Sequence, residues 1–148
     1  MKRTITLAAA LFLALSWPLP LLAQEAPVRA AYYYKVKWGH QEEFERLFFK
    51  NHYPVLKEQM GEYGRITGVE VMRPTYHGDG RADWTFLVII TFASNAAFVG
   101  PNQEAAIQKR LYPDQERFKK EEQRRFEILD AHWDVPLILV VPPGPETR

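Results

Sequence analysis

The four histidines, His40, His52, His77 and His132, are the side chains in this sequence best suited to exchange protons near neutral pH. His52 stands out among them. It lies two residues before Pro54, inside a stretch with helical periodicity, where a proline frees a backbone carbonyl and bends the chain. On that helix Phe44, Leu47, Phe48, Asn51 and Val55 share one side, and Phe49, Tyr53, Leu56 and Met60 form a second apolar set. Arg46, Lys50 and Lys57 take the solvent side, and His52 projects between the two apolar sets. It either hydrogen-bonds a carbonyl released near Pro54 or works in a pocket as acid, base or ligand. Asn51, in the middle of the main apolar stripe, must find a partner if buried. It either ties the helix to a sheet or faces a polar cavity.

Tyr76 and His77, with Asp79 and Asp83, form a second cluster in a turn-rich segment. Gly78, Asp79 and Gly80 suit a hairpin connection, and the same loop could line the mouth of a cleft. Its spacing is not that of a calcium loop. Tyr33 and Trp84, with Tyr32, Tyr34, Trp38 and Trp133, belong either to core and subunit surface or to an aromatic-lined pocket. No metal site and no cofactor is expected. His40 and His52 would stand about 18 Å apart on one helix, and the sequence holds no cysteine for a zinc or iron–sulfur site. No Ser-His-Asp order, Gly-rich phosphate loop or zinc-protease motif is present.

These side chains need elements to hold them. Ala31 to Trp38 is aromatic and β-branched, which predicts a strand with Tyr32, Tyr34, Val36 and Trp38 on one face and Tyr33, Lys35 and Lys37 on the other. A helix is predicted from His40 to Met60, kinked or restarted at Pro54. Strands follow at Ile66–Arg73 and Trp84–Phe92, the latter apolar on both faces. Ser94 and Asn95 can cap a short helical piece, Asn102 another through Tyr112, and a long charged helix should run to Asp130. Glu116 with Lys120 and Glu121 with Arg125 are pairs four residues apart in the favourable order. Val135 to Val141 predicts the last strand.

Strand, helix, strand, strand, helices, strand is the order of a ferredoxin-like α+β fold, βαββαβ, with a four-stranded antiparallel sheet and helices on one face. The other face would expose either Leu87 and Ile89 or Phe86, Val88 and Ile90, which predicts a homodimer packed sheet against sheet.

The chain has 148 residues and a formal charge of +1, so neither nucleic acid nor a polybasic membrane contact is expected. Lys2 and Arg3, the apolar run Ile5–Leu15 and Ala23 have the layout of a secretory signal peptide cut before Gln24, with an uncleaved anchor as the rival. The expected divisions are 1–23 signal peptide, 24–30 tether, 31–141 folded domain and 142–148 Pro-rich tail. An exported, periplasmic or secreted product follows, with no stable membrane association after cleavage.

The Tyr-Tyr-Lys-Val strand, Gly39, the Glu-Glu-Phe helix start, Lys50-Asn51-His52-Tyr53-Pro54-Val55-Leu56 and Arg73-Pro74-Thr75-Tyr76-His77 resemble small exported proteins of the dimeric α/β-barrel superfamily. The resemblance spans roughly residues 31–140 and implies the fold. Elsewhere that superfamily includes cofactor-independent monooxygenases, haem-binding enzymes, lactone isomerases and stress-responsive barrel proteins. None of their catalytic motifs is present here, so the resemblance assigns no catalytic residue.

The expectation drawn from all this is a small apolar or aromatic ligand held between helices and sheet by Tyr33, Asn51, His52, Tyr76, His77 and Trp84. The alternatives are a monooxygenase- or isomerase-like enzyme with His52 moving the proton, a haem-binding version of it, and a purely structural dimeric module.

Overall fold

The computed structural model describes residues 25–75 and 83–140. Within them the chain runs β1 (Val28–Val36), α1 (Gln41–Leu47), a π-helical turn (Phe48–His52), α2 (Tyr53–Gly61), β2 (Ile66–Met72), β3 (Phe86–Phe92), α3 (Asn95–Val99), α4 (Glu104–Leu111), α5 (Gln115–Glu127) and β4 (Leu129–Leu137). The four strands form one antiparallel sheet in the order β2-β3-β1-β4, and the helices pack on one face, a ferredoxin-like arrangement.

The pleat divides the strand residues cleanly. Tyr34, Val36, Phe86, Val88, Ile90 and Phe92 point to the helices and join Phe44, Phe48 and Leu56 in the core. The other face carries Ala31, Tyr33, Leu87, Ile89, Trp133 and Val135, as the register of β1 with β3 and β4 requires. Tyr33 stacks on Trp133 at 5.2 Å and meets Trp84 edge-on at 5.9 Å. Met72, Val135 and Leu137 on this side remain exposed.

Pro54 sits in the first turn of α2 and has no N–H for a helical bond. The preceding turn widens so that the Tyr53 N–H reaches back five residues to the Phe48 carbonyl. The carbonyls of Lys50 and Asn51 both accept the Tyr112 hydroxyl, at 3.0 and 2.9 Å. The predicted restart at Pro54 is therefore built from a π turn and a side chain 58 positions beyond it in sequence, where no local pattern announces it.

Several predicted boundaries move. β1 begins three residues before Ala31, because Val28 pairs with Phe92 at the far end of β3, and it stops before Trp38, which is exposed. Gly39 then turns the chain at φ 83°, a conformation glycine adopts without steric cost. β3 begins after Trp84, because the Thr85 hydroxyl enters the ladder, accepting from the Val36 N–H at 2.8 Å and donating to the Tyr34 carbonyl.

The charged helix ends at Glu127 rather than Asp130, and β4 starts at Leu129 rather than Val135. Leu129 pairs with Val36 across a bulge, while buried Ile128 accepts the Lys37 N–H. Asp130, His132 and Asp134 hid this strand, since an edge strand tolerates polar residues that a buried one excludes. Arg125 does not use Glu121 as predicted. It turns inward, 2% exposed, donates twice to Glu122 and lies 4.6 Å from the Phe126 ring centroid. Glu121 instead accepts from Lys50, Asn51 and Arg117.

Removing the hydroxyl that satisfies two π-turn carbonyls should cost about 1 kcal/mol. Tyr112→Phe is expected to lower the urea midpoint accordingly, and an unchanged midpoint would show that water serves those carbonyls equally well.

Candidate functional site

α2 crosses the inner face of the sheet with His52, Leu56 and Gln59 turned towards it, and a cavity of about 250 Å³ opens between them and the strands. The strand wall is Tyr32, Tyr34, Val88, Ile90 and Phe92, with Ile66 at the start of β2. Phe98, Asn102 and Glu104 close the side formed by α3 and α4. Arg65 fastens that side. Its guanidinium donates to the carbonyls of Phe98, Gly100 and Pro101 at 3.1, 3.1 and 2.9 Å and lies 5.6 Å from the Phe92 ring centroid.

The electrostatics of the walls follow from burial. His52 has no hydrogen-bond partner among the described residues, and its ring meets Phe48 at 5.5 Å. Burial pushes its pKa from 6.5 down to about 3, helped by the positive fields of Arg125 and His132, so the imidazole is neutral at physiological pH. Burial pushes the Tyr34 phenol up to about 12 against the opposing Arg125 charge. Tyr32 is raised too, by burial and then by Asp134. Glu104 is shifted upward by burial and by Glu122, while its carboxylate accepts from Gln108 at 3.0 Å.

The cavity is thus walled mainly by apolar and aromatic side chains, with a neutral imidazole at its His52 end and Arg65 and Glu104 on the side formed by α3 and α4. His132 lies outside it, stacked on Tyr34 at 4.3 Å with Nδ1 2.9 Å from the Tyr33 carbonyl oxygen. Among the described residues no group of three or more His, Asp and Glu side chains is placed to hold a metal ion.

Of the six residues predicted from sequence, His52 borders this cavity. Tyr33 and Trp84 meet each other on the opposite face, because Tyr33 alternates with the inward Tyr32 and Tyr34. Asn51 is buried but reaches neither the sheet nor this cavity. Its Nδ2 donates to Glu121 at 2.9 Å and ties the π turn to α5. Tyr76 and His77 lie outside the described residues.

Tyr32 and Tyr34 were named from sequence only within the general aromatic set, and Gln59, Arg65 and Glu104 were not named. Tyr32 and Tyr34 carried a usable signal, sharing a strand face with Val36. Gln59 carried one as well, seven residues after His52 and so on the same helical face. Arg65 and Glu104 come from loop and helix ends whose approach is purely tertiary.

No family model and no curated protein matches the chain. Solved structures do match. A hypothetical protein from Arabidopsis thaliana is 15% identical over 82% of this chain and 95% of that one, with a TM-score of 0.51. A DABB family protein with a ferredoxin-like fold from Mesorhizobium loti is 14% identical, covering 78% of this chain and 98% of that one, TM-score 0.48. A dimeric ferredoxin-like protein of unknown function from Thermobifida fusca is 14% identical, covering 80% and 96%, TM-score 0.45. Others are described as proposed antibiotic biosynthesis monooxygenases. At such identities the likeness concerns the fold alone.

Below pH 6.5 an unfolded chain protonates His52, while the folded one keeps it neutral down to about pH 3. Stability should therefore be independent of this group above pH 6.5 and fall as pH drops below it, by up to about 1.4 kcal/mol per unit. The carboxylates held near 2, Glu43 by Arg124 and Glu121 by Lys50, contribute their own losses only as pH falls below about 4.5. Urea titrations at pH 6.5 and 5 should show a decline that His52→Phe makes shallower. An equal slope in the variant would mean that the folded protein protonates His52 freely.

Proposed function

We propose that this is an exported homodimer that holds a small, largely apolar or aromatic molecule in the cavity between α2 and the sheet. One observation carries the ligand reading: a neutral imidazole without a protein partner borders a cavity walled mainly by apolar and aromatic side chains. The imidazole nitrogens are not sealed from solvent, so a ligand that displaces the water there and pairs with the ring keeps that hydrogen bond while burying its own apolar surface. About 250 Å³ exceeds the roughly 150 Å³ of a cavity that takes benzene and falls below the range for drug-sized ligands, so the fit is to one or two rings. A haem macrocycle is larger than that, and the haem-binding alternative does not fit this cavity.

The enzyme alternative, in which His52 moves a proton in an oxygenase- or isomerase-like reaction, has the right residue in a cavity. An imidazole whose pKa lies near 3 is a weak base, however, and would not titrate between pH 5 and 8. Its chemistry suits hydrogen bonding better.

The homodimer rests on the apolar outer face of the sheet, where Met72, Val135 and Leu137 stay exposed around Leu87 and Ile89. Export rests on Lys2, Arg3 and the apolar run that follows them, outside the described residues; among the described residues no helix is long and apolar enough to cross a membrane.

Phenol and indole are suitable first probes. Each should raise the melting temperature, and His52→Phe should weaken the binding of phenol between about threefold and tenfold, the worth of one neutral hydrogen bond. Unchanged phenol affinity in that variant would remove His52 from the site. Intact mass and sedimentation of protein recovered outside the cytoplasm address the remainder. The expected result is a subunit lacking residues 1–23, sedimenting in pairs; a retained N-terminus or a monomer would refute export or pairing respectively.

A further inference from the structure

His52, Leu56 and Gln59 occupy positions i, i+4 and i+7 of a helix that is regular from Tyr53 onward, and all three border the cavity. The stripe reads polar, apolar, polar. Gln59 is 4% exposed, yet its side-chain amide has no hydrogen-bond partner among the described residues, and no buried polar atom there is sealed away from solvent or partner. The amide therefore opens onto the cavity with one acceptor and two donor positions unused. Two polar side chains without a protein partner on one helix face, about 10 Å apart along the axis with an apolar residue between them, form a two-ended cradle.

From this juxtaposition we propose that the cavity selects an elongated, uncharged aromatic molecule carrying a hydrogen-bonding group at each end, a hydroxyl meeting His52 and a carboxamide-like group meeting Gln59. This rests on the ligand reading above and deepens it. Neutrality at the amide end follows from its surroundings. Glu104 and Arg65 border the same cavity with opposite signs, so a ligand charge attracted by one is repelled by the other, and the Arg65 guanidinium is already engaged by three carbonyls. A carboxamide both donates and accepts, as the Gln59 amide does, and pairs with it reciprocally. Leu56 lies between them on the helix, and the facing wall carries the Tyr32 and Tyr34 rings beside Val88 and Ile90, so the middle of the ligand meets mainly apolar and aromatic surface.

Three probes separate the possibilities: phenol, 4-hydroxyphenylacetamide and 2-hydroxyphenylacetamide, titrated calorimetrically against the full mature protein. The para compound should bind at least tenfold more tightly than phenol, and the ortho compound, with both groups at one end, should show no such gain. Gln59→Leu should abolish the gain of the para compound over phenol, both measured in that variant, and Gln59→Met provides the same loss with the native side-chain length. His52→Phe should weaken phenol and the para compound alike. If phenol binds but the para compound gains nothing, or keeps its gain in both Gln59 variants, the two-ended cradle is refuted while the single-ended site stands. If none of the three binds, both readings fall.

Discussion

The missing N–H of Pro54 is the constraint around which this molecule is arranged. An uninterrupted α-helix from Gln41 to Gly61 would need a donor at that position. Its absence is resolved by widening the turn before it, by the Tyr53 bond to Phe48 and by the Tyr112 hydroxyl placed against two carbonyls. That resolution settles more than backbone geometry. It recruits the α4–α5 junction to the first helix and buries Asn51 against Glu121. It also starts α2 afresh, so that the residues from His52 onward follow one regular phase across the sheet. π turns recur at functional sites for this reason: they re-aim a helical face without ending the helix.

The sheet supplies the opposite requirement, rigidity. β1 is central, paired on both sides, and its inward residues Tyr32 and Tyr34 form the wall that α2 faces. A core of Phe44, Phe48 and Phe86 packs beneath, Phe86 edge-to-face with both others and Phe44 stacked near Phe48, with Phe48 and Phe86 centroids 4.9 Å apart. An open space beside such a core persists because the aromatic scaffold on one side and the Arg65-fastened loop on the other cannot close over it without breaking contacts of their own.

Much of this was legible in residue order. The helical stripe Phe44, Leu47, Phe48, Asn51 and Val55 is buried throughout, and the element order specified the sheet topology. Periodicity succeeds where burial is one-sided and local. It failed at β4, where polar residues on an edge strand resemble the end of a charged helix. It also misdirected Tyr33 and Trp84, since residue type alone does not say on which side of a pleat an aromatic will serve. Asn51 shows the same limit from another direction: its burial was readable, its partner 70 positions away was not.

β4 carries a last consequence through Pro136. That residue sits opposite Ala30 on a strand whose outer edge is unpaired among the described residues, and it offers no donor to an arriving strand. Asp130 and Asp134 place charge along the same margin, and the other edge strand, β2, is interrupted by an irregularity between Ile66 and Gly68. Both margins thus discourage lateral growth of the kind that builds fibrils. An apolar sheet face can then remain uncovered during folding without the sheet becoming a template for endless polymerisation.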